Sequence, residues 1–464
     1  MAKKVFVLFP DGIGLRNFAL TNFKEEGEKQ GIDVCYWNNT NFSIKDRLGY
    51  NEVVIEDQTI HSLTPIYSRA RKRTELNVWT KKLSDAVYQM YKFPLSINGL
   101  NNKIKSGLIR LLIGLKSSER GVVSIREKIK QLERSTSKYK YCKQQLEEHR
   151  PVAVMSTSQR ATQAIAPLLA AKDLGIPTIT FIYSWDNVPK AMLVVETDYY
   201  YVWSDHMKSE LLQYYPFIKE EQVVVTGTPQ FGPHFDESLV VPRETFFAEH
   251  NLDIEKKYIC FSGDDETTSP LDQYYLEDLA KAVRGLNGEG YNLGIIYRKC
   301  PVDFTDRYQK VIDGYTDVIT VIDPIWEQIG SSWNEIAPSK EDFAMLVNVC
   351  KHTELVTNVC SSTVFDFVAH DKPCIYYNYE QPQLKKGIRD IGQNYHYVHF
   401  RSMPSKDAVL WALNKEELKD RVKSVLDGEV NPVPVTKQWF SVIVGNTPTE
   451  ACENIWKSIN QLIK

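Results

Sequence analysis

The sequence predicts an α/β fold made of two doubly wound domains, each a parallel sheet with helical crossovers. Three observations predict it. Short apolar, β-branched or aromatic runs alternate with helical stretches along the chain, the pattern of βαβ units. The 464 residues exceed what a single core of ordinary size encloses. A cluster of Pro229, Gly232, Pro233 and Pro242 interrupts the alternation near residues 227–255, which is linker composition.

The elements follow in order. The first domain opens with a strand over 4–9, a loop Pro10-Asp11-Gly12-Ile13-Gly14 and a helix over 16–30. Strands are expected over 33–37 and 52–56. Residues 67–149 read as a helical insertion, with Ile125, Ile129 and Leu132 at helical spacing. Strands return over 152–155, 178–182, 199–203 and 222–226. Between them lie an Ala-rich helix over 160–173, ended by Gly175 and Pro177, and a helix over 205–215. This first domain spans 1–235. The second spans 250–440. It begins with a strand over 257–262, a loop over 263–270, a helix over 271–286 and strands over 293–298 and 318–322. An irregular acidic loop over 323–335 and a helix over 342–350 precede a strand (354–358), a short helix (363–370) and a strand (373–377). A helix is expected over 410–426, and residues 441–464 close the chain with a helix over 450–462.

Composition excludes several classes. Hydrophobic content of 43% and charged content of 25% are those of a soluble globular protein. No apolar run reaches the ~20 residues of a membrane span, and Arg110 interrupts the nearest, 107–115. The eight cysteines form no CxxC pair, so they read as reduced thiols of a cytoplasmic protein, not as a disulfide framework or zinc site. The net charge of −3 conceals an asymmetry. Residues 69–140 hold 18 Lys and Arg against 5 Asp and Glu, leaving the rest of the chain at −16. The block has few aromatics and no groove-reading motif, so an anionic surface fits it better than nucleic acid. Within it Ile104, Leu108, Leu111, Leu112 and Leu115 share a helical face, with Lys103, Lys105, Arg110 and Lys116 around it. That pattern fits a helix at the inner face of an anionic membrane, or an amphipathic helix with a solvated basic side.

The stretch 351–377 carries the strongest chemical signal. A buried strand, a Cys-Ser-Ser turn and a short helix place Ser361, Ser362 and Thr363 where a helix begins. Free N–H groups and hydroxyls at such a point favour an anion. An ordinary N-cap is the other reading. Arg298 ends its strand and offers a planar fork to phosphate, or to a neighbouring carboxylate. Gly263 and Asp264 follow the first strand of the second domain, where a glycine permits close backbone approach.

Several motifs then resemble a known class. They are Ser184-Trp185-Asp186-Asn187, Val202-Trp203-Ser204, VVVTGTPQ (223–230), IIYRKCP (295–301) and TNVCSSTVFDF (357–367). The series looks like bacterial surface-polysaccharide glycosyltransferases of the GT-B fold, which have two Rossmann-like domains facing a cleft. It is also similar to CDP-glycerol glycerophosphotransferases. Arg298-Lys299-Cys300-Pro301 lacks the histidine associated with that second branch, which favours sugar transfer.

The resemblance implies a nucleotide-sugar donor in the second domain, a glycan or lipid-linked acceptor on the first, and no bound metal or other cofactor. It implies that Arg298, Ser361, Ser362, Thr363, Gly263 and Asp264 contact the donor and that Asp366 meets its ribose. For Asp366 a surface carboxylate near a helix start is the alternative. Asp11 is the first choice for a base acting on the acceptor, with an Asx-turn as its alternative. Asp186 is the second choice, and Gly12, Gly14, Trp185 and Asn187 complete the acceptor-side loops. A UDP-sugar 2-epimerase and a non-catalytic glycan-binding subunit are the remaining readings.

Overall fold

The computed structural model describes residues 3–328, 336–385 and 390–463. The chain divides into two compact units. One comprises Met1–Pro229, Gln328–Ala337 and Ile443–Lys464, the other Gln230–Glu327 and Pro338–Val442.

The first unit is built on a seven-stranded parallel sheet. Its strands are β1 (Lys3–Phe9), β2 (Ile32–Asn38), β3 (Glu52–Val54), β4 (Ala153–Ser156), β5 (Thr178–Phe181), β6 (Tyr199–Val202) and β7 (Val223–Val225), in the order β3-β2-β1-β4-β5-β6-β7. Val5–Phe9 are fully buried, as expected of a central strand covered on both faces. The register runs Val5 to Val34 on one side and Val5 to Ala153 on the other. The order reverses between β1 and β4, and the crevice outside their carboxyl ends is where such sheets take ligands.

The second unit repeats the plan. Its strands are β8 (Lys257–Ser262), β9 (Leu293–Arg298), β10 (Ile319–Val321), β13 (Leu355–Asn358), β14 (Cys374–Tyr377) and β15 (Leu410–Ala412), in the order β10-β9-β8-β13-β14-β15. Between them in the chain lie β11 (Trp326–Gln328) and β12 (Ile336–Pro338), which pair as a separate two-stranded ribbon. The order here reverses between β8 and β13.

Four expectations change. The helix expected over 16–30 is two, Leu15–Phe18 and Phe23–Lys29. The Thr21 hydroxyl donates to the Asn17 carbonyl at 2.7 Å and satisfies an end of the first. The helix expected over 410–426 is a strand followed by helix Lys415–Leu426. Asn414 caps that helix by accepting from the Glu417 N–H at 2.8 Å, so the helix cannot start earlier. Helix Val433–Val444 was not expected. The expected loop over 323–335 contains β11, and its residues 329–335 lie outside the described ones. The insertion holds helices Thr64–Lys82, Leu100–Leu115, Glu119–Arg134 and Ser137–His149.

The last helix, Ala451–Leu462, packs on the first unit. The Trp456 indole N–H donates to the Phe23 carbonyl at 2.6 Å, and its ring centroid lies 4.6 Å from that of Phe23. Gly27 makes room for it. A Cβ there would stand 2.7 Å from Trp456 and 2.6 Å from Val34.

Candidate functional site

In the second unit the carboxyl ends of β8 and β13 are joined by hydroxyls. Ser262, the last residue of β8, lies 3.2 Å from Thr363 Oγ1, and Ser361 Oγ lies 2.8 Å from the same atom. All three are half-buried. The turn is held from behind. The Ser361 N–H donates to Asn358 Oδ1 at 2.9 Å, and the Tyr376 hydroxyl donates to the Ser361 carbonyl at 2.8 Å. Cys360 sits in the left-handed region at φ 48°, where a Cβ is strained, and its N–H donates to the Tyr395 hydroxyl at 3.2 Å. Ser362 occupies the cap position of helix Thr363–Val368, yet its side chain makes no capping bond. The cluster therefore lies across the point of strand reversal. Ser262 was missed by sequence reasoning. Its position as the last strand residue before Gly263 was the available signal.

Arg298 also reaches this end of the sheet. Its Nη2 donates to Asp342 Oδ1 at 2.7 Å, with both side chains buried. Asp342 further accepts from the Ile325 N–H at 2.8 Å and the Trp326 indole at 2.7 Å. The carboxylate alternative thus holds for one edge of the guanidinium. Among the described residues buried Nη1 has no hydrogen-bond partner, which leaves it a donor to offer.

Gly263 packs beneath aromatic rings, since a Cβ there would stand 3.1 Å from Tyr297 and 3.3 Å from the Tyr308 hydroxyl. Asp264 beside it accepts from the Asp265 N–H at 2.8 Å. Burial, with Asp265 and Asp272 adding repulsion, pushes its carboxyl well above the usual carboxylate range.

Asp366 is not a surface carboxylate. It is buried, and its Oδ1 lies 2.8 Å from His234 Nε2. His234 Nδ1 in turn lies 3.0 Å from His370 Nε2. Burial, with His234 adding, pushes His370 down to about 4. This Asp–His–His chain was not anticipated: Asp366 and His370 are four residues apart, but His234 lies 132 residues before Asp366. At the carboxyl end of β14, Glu380 is pushed up to about 7 by burial and by a hydrogen bond with Asp390.

The first unit gathers the acceptor-side candidates. Asp11 closes an Asx-turn, accepting from the Ile13 N–H at 3.3 Å. A Cβ on Gly14 would stand 2.3 Å from Thr157 Oγ1, so glycine there lets the loop after β1 meet the loop after β4. Gly12 is buried in the same turn. Asp186 accepts from Ser184 and Asn187, each at 2.6 Å, and pairs with Lys190. Asn187 is buried and accepts from Gln159 at 3.1 Å, and Trp185 is buried beside it. Tyr183 lies just beyond β5, its N–H donating to Gln159 Oε1 at 3.0 Å. Burial raises its hydroxyl, Arg16 and Arg160 oppose, and Asp11 and Asp186 both add to the rise. Both candidate bases and two arginines thus act electrostatically on one phenol.

No protein-family model and no curated protein matches the chain. Solved structures do. S. aureus MnaA, solved with UDP, is 14% identical, with 99% of this chain and 97% of that one covered and a TM-score of 0.53. UDP-GlcNAc 2-epimerase from Neisseria meningitidis, bound to UDP-GlcNAc, is 10% identical over 99% and 100% of the two chains, with a TM-score of 0.54. The UDP-GlcNAc 2-epimerase from Methanocaldococcus jannaschii is 14% identical over 99% of each chain, with a TM-score of 0.52. The chain has the GT-B fold. Identities this low establish the fold alone.

Proposed function

We propose that the chain binds a nucleotide-sugar through the second unit and transfers the sugar to a bacterial surface glycan, such as a capsule, an O-antigen or a lipid-linked oligosaccharide. One observation carries the reading: the Ser262, Ser361 and Thr363 hydroxyls meet across the β8–β13 reversal point, where a Rossmann-order sheet takes a nucleotide. A leaving diphosphate needs fixed donors for its developing charge. The three hydroxyls and Arg298 Nη1 supply them, with Asp264 as a further contact to the donor. Asp11 takes the acceptor proton in this reading, because Lys190 commits Asp186 to an ion pair.

A second reading has specific support, since enzymes with this fold and TM-scores above 0.5 include UDP-GlcNAc 2-epimerases. It needs no acceptor and places acid and base groups on both sides of the sugar. Arg298-Lys299-Cys300-Pro301, without histidine, counts against a CDP-glycerol-type transfer.

Product analysis separates the readings. UDP-, GDP-, CDP- and CMP-sugars are incubated with and without a glycan acceptor. Transfer predicts nucleotide release that rises with acceptor. Conversion of UDP-GlcNAc to its carbon-2 epimer without acceptor would establish the second reading instead. Binding of none of the donors would remove both.

A further inference from the structure

Helix Leu100–Leu115 presents a row of large apolar side chains to solvent. Leu100, Ile104, Leu108, Leu111 and Leu115 recur every three or four residues and are 74%, 54%, 41%, 57% and 70% exposed. Phe93 and Ile97, just before it, are 69% and 55% exposed. Single exposed leucines are ordinary, whereas five large apolar residues along one helix, with two more exposed just before it, mark an interaction surface.

The exposed row is not the core face of the helix turned outward. The opposite side is packed already: Ile109 is buried, and Leu112 and Ile113 lie against the core of the first unit. The Ser106 hydroxyl, on the packed side, donates to the Ser96 carbonyl at 2.7 Å. Leu112, grouped with the outer row on sequence, belongs to the inner one.

The charge around the row selects its occupant. Residues 86–118 contain Lys92, Lys103, Lys105, Arg110 and Lys116 and no Asp or Glu. Lys103, Lys105 and Arg110 are exposed beside the leucines. A second copy of this chain would set these cations against one another, and like charges at close range repel. An anionic lipid surface satisfies both features, taking leucines among acyl chains and cations among headgroup phosphates. At 16 residues the helix is about 24 Å long, short of a hydrocarbon core of ~30 Å. Among the described residues no helix is long and apolar enough to cross a membrane.

We propose that helix Leu100–Leu115 lies in the plane of an anionic bilayer and docks the protein there through its leucine row and flanking cations. This surface is independent of the reaction assigned above, and its failure would leave that reading intact.

Vesicle co-sedimentation tests it, with phosphatidylcholine alone or mixed with phosphatidylglycerol. Binding should require phosphatidylglycerol and weaken as salt shortens the screening length. The K103Q/K105Q/R110Q variant should lose roughly a hundredfold in partitioning, at about 1 kcal/mol for each cation near the surface. I104S/L108S/L111S should lose binding at any salt. Leu111→Ser alone keeps the test open should the triple variant misfold. Three results would overturn the proposal: equal binding to both vesicles, binding to neither, or variants that bind as the parent does. A parent that sediments as a dimer, with I104S/L108S/L111S a monomer, would assign the face to a second copy.

Discussion

Three hydroxyls from two non-adjacent segments meet at one atom in the second unit, and two of them, Ser361 and Thr363, were legible in the sequence. Their legibility came from a strand–turn–helix pattern that leaves polar groups at a strand end. Ser262 was passed over, since its one signal was its place at a strand end before Gly263. The packing of Asp366 was not legible: its helix is buried along nearly its whole length, and the fourth residue meets His234. Asp11 remains the residue whose function is most directly testable. Asp11→Asn should lower transfer by two to four decades, about what a positioned base contributes. Donor affinity should barely change, because Asp11 belongs to the first unit. Activity within about threefold of the parent would return Asp11 to its Asx-turn role alone.

His370 gives a prediction with a definite sign. Burial, His234 and the lysines 351 and 372 disfavour its cation, while Asp366 opposes them. In the unfolded chain its pKa is about 6.5. The folded value is depressed to about 4, so neutral His370 contributes stability above pH about 6.5 that is lost as pH falls toward 4. After discounting for partial exposure this amounts to about 1–2 kcal/mol. Urea midpoints across this window should fall with pH, and His370→Asn should flatten part of the slope. A variant with the parent's full pH slope would contradict the assignment.

At the scale of elements, central strands were read to within a residue or two because parallel strands buried on both faces are continuous apolar runs. The failures are local. Leu410–Ala412 continues in helical period into the helix behind it, and only the Asn414 cap separates them. The first crossover breaks at Ala19–Asn22 through a side-chain bond that periodicity does not encode. Close approach of elements was equally unreadable. Gly27 is one of several glycines, and its need arises from Trp456, more than 400 residues later. Gly27→Ala should destabilise the first unit by about 1–3 kcal/mol through overpacking. Thermal unfolding would measure this, and Gly27→Ala/Trp456→Phe should recover part of the loss. An unchanged midpoint in the single variant would show that the helix Ala451–Leu462 shifts freely.

For the whole molecule, the sequence disclosed two βα series and a linker, and its motifs carried the resemblance to the GT-B class. It did not disclose that the closing helix belongs with the first unit, since that depends on a contact between chain ends. Nor does the fold choose between transfer and epimerisation, because architecture is shared across chemistries. Both reactions rest on one claim, that the β8–β13 reversal point holds a nucleotide diphosphate. Calorimetric titration of UDP and UDP-GlcNAc into the parent and into the S262A/S361A/T363A variant tests it most directly. Each charge-assisted hydrogen bond lost should cost roughly 1.5–3 kcal/mol, so the variant should bind at least tenfold more weakly while melting as the parent does. Equal affinity in parent and variant would contradict the account.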